Sequence, residues 1–219
     1  MAIFTQRKKI ELLLAFLLCI ALLNIGCLAQ NQNQNQQIQI SEQILQEKGY
    51  LLEGNKDARV RIYVFSDYLC PYCAYFAVQT KELFEEYAKQ GKIAVYYVDF
   101  IVHKESIPFA LAARCSIEQN KQKEFHDEMY NQINSLMQEN KEVPKTLIIN
   151  TAKKLNMDVN KLTECVNNKK YIDHVYNSTI TSKALGLLGT PSLEINNQFI
   201  PISYDKTFIK NEIDKRLNS

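Results

Sequence analysis

The stretch that decides how this chain reads is Asp67 to Phe76, DYLCPYCAYF, in which Cys70 and Cys73 stand three residues apart. Such a pair either grips a metal or opens and closes as a disulfide. Outward from it, Arg59 to Ser66 (RVRIYVFS) is rich in β-branched and aromatic residues and predicts a strand. Pro71 to Lys89 follows at helical spacing, with Phe76, Leu83, Phe84 and Tyr87 on one face. Gly91 ends that helix, and Lys92 to Val102 (KIAVYYVDFIV) predicts a second strand. Two strands joined through a helix make a β-α-β unit, parallel and right-handed. Cys70 therefore sits where a strand hands over to a helix, with Pro71 at the first helical position. Unpaired N–H groups at that helix end stabilise a thiolate, so Cys70 is expected to be the accessible, low-pKa, attacking sulfur. Cys73, one turn further in, is expected to be covered and to resolve mixed disulfides.

The remainder of the chain favours redox chemistry over metal. No second Cys-x-x-Cys exists, Cys115 and Cys165 are fifty residues apart, and His103, His126 and His174 show no paired ligand spacing. No metal site is expected. Exchange between sulfurs needs no cofactor either.

The 219 residues carry a net charge of +2. Arg7, Lys8 and Lys9 against Glu11 supply all of it, so the chain from residue 30 onward is neutral and lacks the basic footprint of a nucleic-acid binder. Residues 1–29 pair that basic start with the apolar run Leu12 to Leu23 and end in Cys27-Leu28-Ala29. They read as an export signal, with a retained anchor or a lipid on Cys27 as alternatives. Residues 30–48, opening as QNQNQNQQIQ, read as a tether too polar to bury a core. Residues 49–219 are expected to fold as one domain. Cleavage after Ala29 would leave four cysteines, and an even count in an exported chain points to disulfides. A periplasmic or other extracytoplasmic location is expected.

After the second strand the pattern turns helical. Ser106 marks a helix start before Leu111 and Cys115, and Phe125, Met129, Ile133 and Leu136 form an apolar stripe. Helices are also expected over Pro144 to Leu155, Val159 to Asn167 and Lys170 to Leu185. Beyond Gly189-Thr190-Pro191, the runs Ser192 to Ile195 and Gln198 to Ile202 flank Asn196-Asn197, a hairpin signal. Ile209, Ile213 and Leu217 space a closing helix. Asn177-Ser178-Thr179 matches a glycosylation triplet, but its helical placement argues against use.

Cys70-Pro71-Tyr72-Cys73 at a strand–helix junction, with Gly189-Thr190-Pro191 before a hairpin and a final helix, resembles the thioredoxin fold. GNKDARV before the first strand, FSDYLCPYC at the site and LAARCSIEQNKQKEFHDEMY in the helical block resemble the DsbA-type thiol–disulfide oxidoreductases over about residues 54–217. The implied fold is α/β: β-α-β, an inserted helical subdomain at about 104–187, then β-β-α. The 118 residues from Cys73 to Pro191 are too many for glutaredoxin, which shares the Cys-Pro-Tyr-Cys motif.

The resemblance implies a redox-active Cys70–Cys73 disulfide with Pro71 and Tyr72 as its inner dipeptide. It implies a cis Pro191, with the Thr190 backbone pairing with an extended substrate. An oxidising compartment favours a structural Cys115–Cys165 disulfide over two buried thiols. Expected partners are exported, cysteine-containing clients and a membrane quinone-coupled reoxidant, with the enzyme a monomer. A reductase or isomerase of the same fold, and a tethered peptide-binding module whose cysteines are merely structural, are the alternatives. The chain departs from its relatives at Val64, six residues before Cys70, where many carry a buried acid. Asp67 is expected to be solvated, which leaves water to take the Cys73 proton.

Overall fold

The structure, a computed structural model, describes residues 50–201 and 205–218. The export signal and the tether lie outside the described residues. Five strands form one sheet: β1 (Tyr50–Gly54), β2 (Val60–Ser66), β3 (Ile93–Asp99), β4 (Ser192–Ile195) and β5 (Gln198–Ile200), in the order β1-β3-β2-β4-β5. Seven α-helices are described: α1 (Pro71–Lys89), α2 (Ile107–Ser116), α3 (Gln122–Gln138), α4 (Thr146–Lys154), α5 (Val159–Asn167), α6 (Ile172–Ala184) and α7 (Lys206–Leu217). This is a thioredoxin fold with a helical insertion, α2 to α6, between β3 and β4.

β2 and β3 pair in parallel from Val60↔Ile93 to Ser66↔Asp99, and β4 pairs antiparallel to β2 with Val64 opposite Leu193. Both central strands are covered on their two faces, which is why their sequences run apolar without alternation. On one face Val60, Ile62 and Val64 pack with Phe76, Leu83 and Phe84 of α1 and Ile209 and Ile213 of α7. Each such side chain contributes about 1.5–3 kcal/mol when fully buried. On the other, Tyr63, Phe65, Tyr96 and Val98 pack under Leu185 and Leu187. A third core joins Cys73 and Ala74 of α1 to β1 and to Phe125, Met129 and Ile133 of α3. Helix α1 thus bridges the sheet core and the insertion.

Local chemistry sets the boundaries. Asp158 caps α5 by accepting from Asn160 and Lys161 N–H, and Asp205 caps α7 by accepting from Thr207 N–H. Asn196 and Asn197 both take positive φ, 47° and 63°, the primed turn that joins β4 to β5. Ser106 precedes α2 as the sequence indicated, but its hydroxyl donates to the His103 carbonyl instead of capping the helix.

Two sequence expectations need correction. β1 is an unforeseen strand, antiparallel to β3, and it carries a bulge between Leu51 and Glu53. β3 ends at Asp99 and not at Val102, because the amides of Val102 and His103 bond to the Asp67 carboxylate instead of a neighbouring strand.

Candidate active site

Cys70 is the N-cap of α1, with extended backbone (φ −80°, ψ 118°) and no side chain capping the helix. Pro71 takes the first helical position, and the N–H groups of Tyr72 and Cys73 in the first turn point back toward the sulfur. The Cys70 thiol is held down at about 6 from an ordinary 9.0. A hydrogen bond from the Cys73 thiol is the largest cause, ahead of the Thr190 side chain and the N–H groups of Cys73 and Tyr72; burial works against them. The Thr190 carbonyl oxygen, 3.3 Å from Cys70 Sγ, accepts from the thiol and so favours the protonated form. The donors win. Cys73 goes the other way: burial first, then its bond to Cys70, pushes its thiol well above the usual range. One sulfur is an easily formed thiolate and its neighbour a reluctant one. Both cysteines are free thiols here, so the site is in its dithiol form.

Cys70 was expected to be openly accessible and is instead 5% exposed, because the Thr190–Pro191 turn bonds across it. The Thr190–Pro191 peptide bond is cis and Pro191 is buried. Pro71 and Tyr72 stand exposed beside the site, Tyr72 at 63%. A groove of about 460 Å³ runs past Pro191, lined by Leu187, Leu188, Thr190, Ser192, Phe199 and Ile200. Leu188 and Phe199 are exposed apolar side chains at its rim.

Asp67 overturns the expectation of a solvated carboxylate. It is 1% exposed and accepts from the N–H groups of Leu69, Val102 and His103, each at 2.8 Å, with His103 Nδ1 3.3 Å away. The amides left over at the end of β3 draw it inward.

Behind Cys73 lies a polar aromatic cluster that the sequence did not single out. Ser66 bonds to Cys73 and, at 2.9 Å, to the Tyr130 hydroxyl, which meets the Tyr97 hydroxyl at 2.5 Å. Tyr68 stacks on Tyr130 with ring centres 4.7 Å apart and reaches His126 Nδ1 at 3.3 Å. The signal was available: Tyr130 and His126 lie one helical turn apart on the apolar face of α3, yet tyrosines in a core read as packing alone.

Cys115 of α2 and Cys165 of α5 form a disulfide with Cα atoms 6.0 Å apart. It ties two helices of the insertion together. Buried Arg114 bonds through Nε to Asp99 and through its guanidinium to Ser178, fastening α2 to the end of β3 and to α6. Among the described residues no cluster of His, Cys, Asp and Glu could hold a metal ion.

The sheet order, the helix-capping cysteine pair and the turn at Pro191 define a dithiol protein of thioredoxin fold. The thioredoxin family profile matches residues 46–215. A Bacillus anthracis protein described as a probable disulfide bond formation protein D is 28% identical over 171 residues, covering 75% of this chain and 76% of that one. The fold superposes on alpha-DsbA2 of Wolbachia pipientis, a thiol–disulfide exchange protein, with a TM-score of 0.67 at 21% identity, over 85% of this chain and 97% of the other. It superposes on oxidised BdbD of Bacillus subtilis with a TM-score of 0.65 at 21% identity, over 76% and 92% respectively. The chain belongs to the thioredoxin family.

Proposed function

We propose that this chain is an exported dithiol oxidase that donates a Cys70–Cys73 disulfide to folding proteins. The observation that carries the reading is the asymmetry of the two thiols. A Cys70 thiolate favoured near pH 6 stabilises the reduced enzyme, and a disulfide whose reduced form is stabilised is an oxidant. A client thiolate attacks Cys70 Sγ, the Cys70–Cys73 bond breaks, and its electron pair passes to Cys73. A second client thiolate then attacks the client sulfur of the mixed disulfide and expels the Cys70 thiolate. The client leaves with one disulfide and the enzyme with two thiols.

The groove beside Pro191 supports an extended client chain, whose backbone would pair with Thr190 while Leu188 and Phe199 contact its side chains. The name of the Bacillus anthracis relative, a disulfide bond formation protein, points in the same direction. Residues 1–29 supply the export reading and residues 30–48 the tether. Among the described residues no helix is long and apolar enough to cross a membrane. Reoxidation falls to a membrane quinone-coupled partner, and the enzyme acts as a monomer.

The test mixes stoichiometric oxidised enzyme with a reduced, unfolded disulfide protein and counts thiols lost. One client disulfide per enzyme is expected, with none from Cys70→Ser. In glutathione buffers the potential should lie above the roughly −270 mV of thioredoxin. Failure to oxidise the client, together with faster insulin reduction, would assign a reductase or isomerase; neither activity would leave a peptide-binding module.

A further inference from the structure

Cys73 is expelled as a thiolate when Cys70 is attacked, and it must give up a proton when the disulfide re-forms. Its position, 1% exposed, keeps bulk water away from both events. Val64 lines the space beneath it and has nothing to exchange.

That space is a cavity of about 20 Å³ whose walls include Cys73, Val64, Ser66, Glu53, His126 and Tyr130. Its volume suits one water molecule, which needs roughly 10–15 Å³ and polar neighbours. Glu53 reaches it through the bulge in β1. The register steps from Leu51↔Tyr96 to Glu53↔Val95, so one extra residue enters the strand. Strict alternation would send Leu52 and Glu53 to opposite faces, yet both line this cavity. Bulges commonly re-aim a side chain in this way next to active sites. Gly54 follows with φ +93°, and a Cβ there would stand 2.1 Å from the Ile93 carbonyl oxygen, so the bulge is sharply specified.

The charged surroundings leave Glu53 the weakest-held carboxylate. Helix α1 contributes Lys81 and Glu85, and α3 contributes Lys123 and Asp127. Lys123 Nζ lies 2.6 Å from Asp127, 2.9 Å from Glu85 and 3.6 Å from Glu53, while Lys81 serves Glu85 and Asp127. Three carboxylates share two ammonium groups. Glu53, with its side chain 8% exposed, lies farther from its nearest ammonium, 3.6 Å, than Glu85 or Asp127 does from its own. Burial pushes its carboxyl up to about 7, whereas its bond to Lys81 holds Glu85 near 2. The other titratable walls serve poorly. His126 is held near 3 by burial and stays neutral, and Tyr97 and Tyr130 are pushed far above their usual range.

We propose that Glu53, from the bulge of β1, exchanges the proton of Cys73 across the cavity through one water, in place of an acid at position 64. This rests on the oxidoreductase reading. As a client thiolate bonds to Cys70 Sγ and the Cys70–Cys73 bond breaks, the electron pair goes to Cys73 Sγ. The Glu53 carboxyl gives its proton to the water, which gives one to that sulfur. In re-formation, Cys70 is held in a mixed disulfide with the client or the reoxidising partner, and the Cys73 proton returns to Glu53 by the same path. The Cys73 thiolate attacks Cys70 Sγ, and the other protein's sulfur leaves as a thiolate.

The test follows reduction of the oxidised protein by dithiothreitol, through Cys70 thiolate absorbance, from pH 5 to 9. Wild type and Glu53→Gln are compared as a rate ratio, which cancels the titration of the reductant. The expected ratio is about tenfold or more below pH 7, where Glu53 holds a proton to give, falling toward one above it. Adding Val64→Glu to the Glu53→Gln variant should recover rate below pH 7. A ratio flat with pH overturns the role of Glu53 while leaving the enzyme reading intact, whereas a wild type that dithiothreitol cannot reduce overturns the enzyme reading itself. Should Glu53→Gln fail to fold, a wild-type profile corrected for reductant titration that lacks an inflection near pH 7 overturns the proposal alone.

Discussion

Reduction of the Cys70–Cys73 bond should alter stability by an amount set by pH. The folded Cys70 thiol titrates near 6 and the unfolded one near 9.0, so the folded reduced protein binds fewer protons between those values. Its extra stability is therefore lost as pH falls through 6 and grows by about 1.36 kcal/mol per pH unit above it. That gives about 0.4 kcal/mol at pH 6, about 1.4 at pH 7 and about 2.7 at pH 8. The oxidised form has its own advantage, since closing a four-residue loop in the unfolded chain is worth about 2 kcal/mol in the chain-entropy account. The two effects cross near pH 7.5 by this reckoning, and the reduced form leads by pH 8. Above pH 8 the raised Cys73 thiol begins to oppose the trend, because the unfolded chain then loses a proton that the folded one keeps. The assay is a pair of thermal melts at pH 6, 7 and 8, with Cys115–Cys165 closed in both samples. Between pH 6 and 8 the gap should move by about 2.3 kcal/mol, or roughly 5–9 °C, in favour of the reduced form. A gap that does not change with pH would refute the helix-end thiolate, and with it the oxidase reading.

Three further outcomes are expected. Arg114→Leu leaves the buried Asp99 carboxylate without its cation and should lower stability by about 3–5 kcal/mol in denaturant melts. Gly54→Ala forces a Cβ onto the Ile93 carbonyl at positive φ, and should cost about 2–3 kcal/mol or more while displacing Glu53. Replacing both Cys115 and Cys165 by Ala removes a cross-link spanning 50 residues and should lower stability by about 4 kcal/mol, leaving thiol exchange at Cys70 in place.

The parts of the fold that follow from local chemistry were legible in the sequence. α1 matches Pro71 to Lys89 because the capping cysteine, the proline and the apolar spacing all mark one boundary. Asn196-Asn197 named its turn, and β4 ends where expected. β1 was missed because a five-residue strand with a bulge breaks the two-residue period on which strand reading depends. Glu53 went with it. Asp67 was misjudged for a related reason: its three amide donors come partly from residues 35 and 36 positions away, a distance that no local pattern records. The cysteine pair announced the site, whereas the groups that surround its buried sulfur come from four other elements of the fold.

The Asp67 carboxylate also has a consequence for how the molecule breathes. One side chain accepts from amides on both sides of the site, Leu69 just before Cys70 and Val102 and His103 on the path into the helical insertion. None of the three can open by itself without leaving part of a buried carboxylate unsatisfied, so their openings should be coupled. In hydrogen–deuterium exchange these amides should form one slow cooperative unit, and Asp67→Ala should release all three together. The catalytic turn and the entrance to the insertion are in that sense a single unit of unfolding, joined by one buried carboxylate.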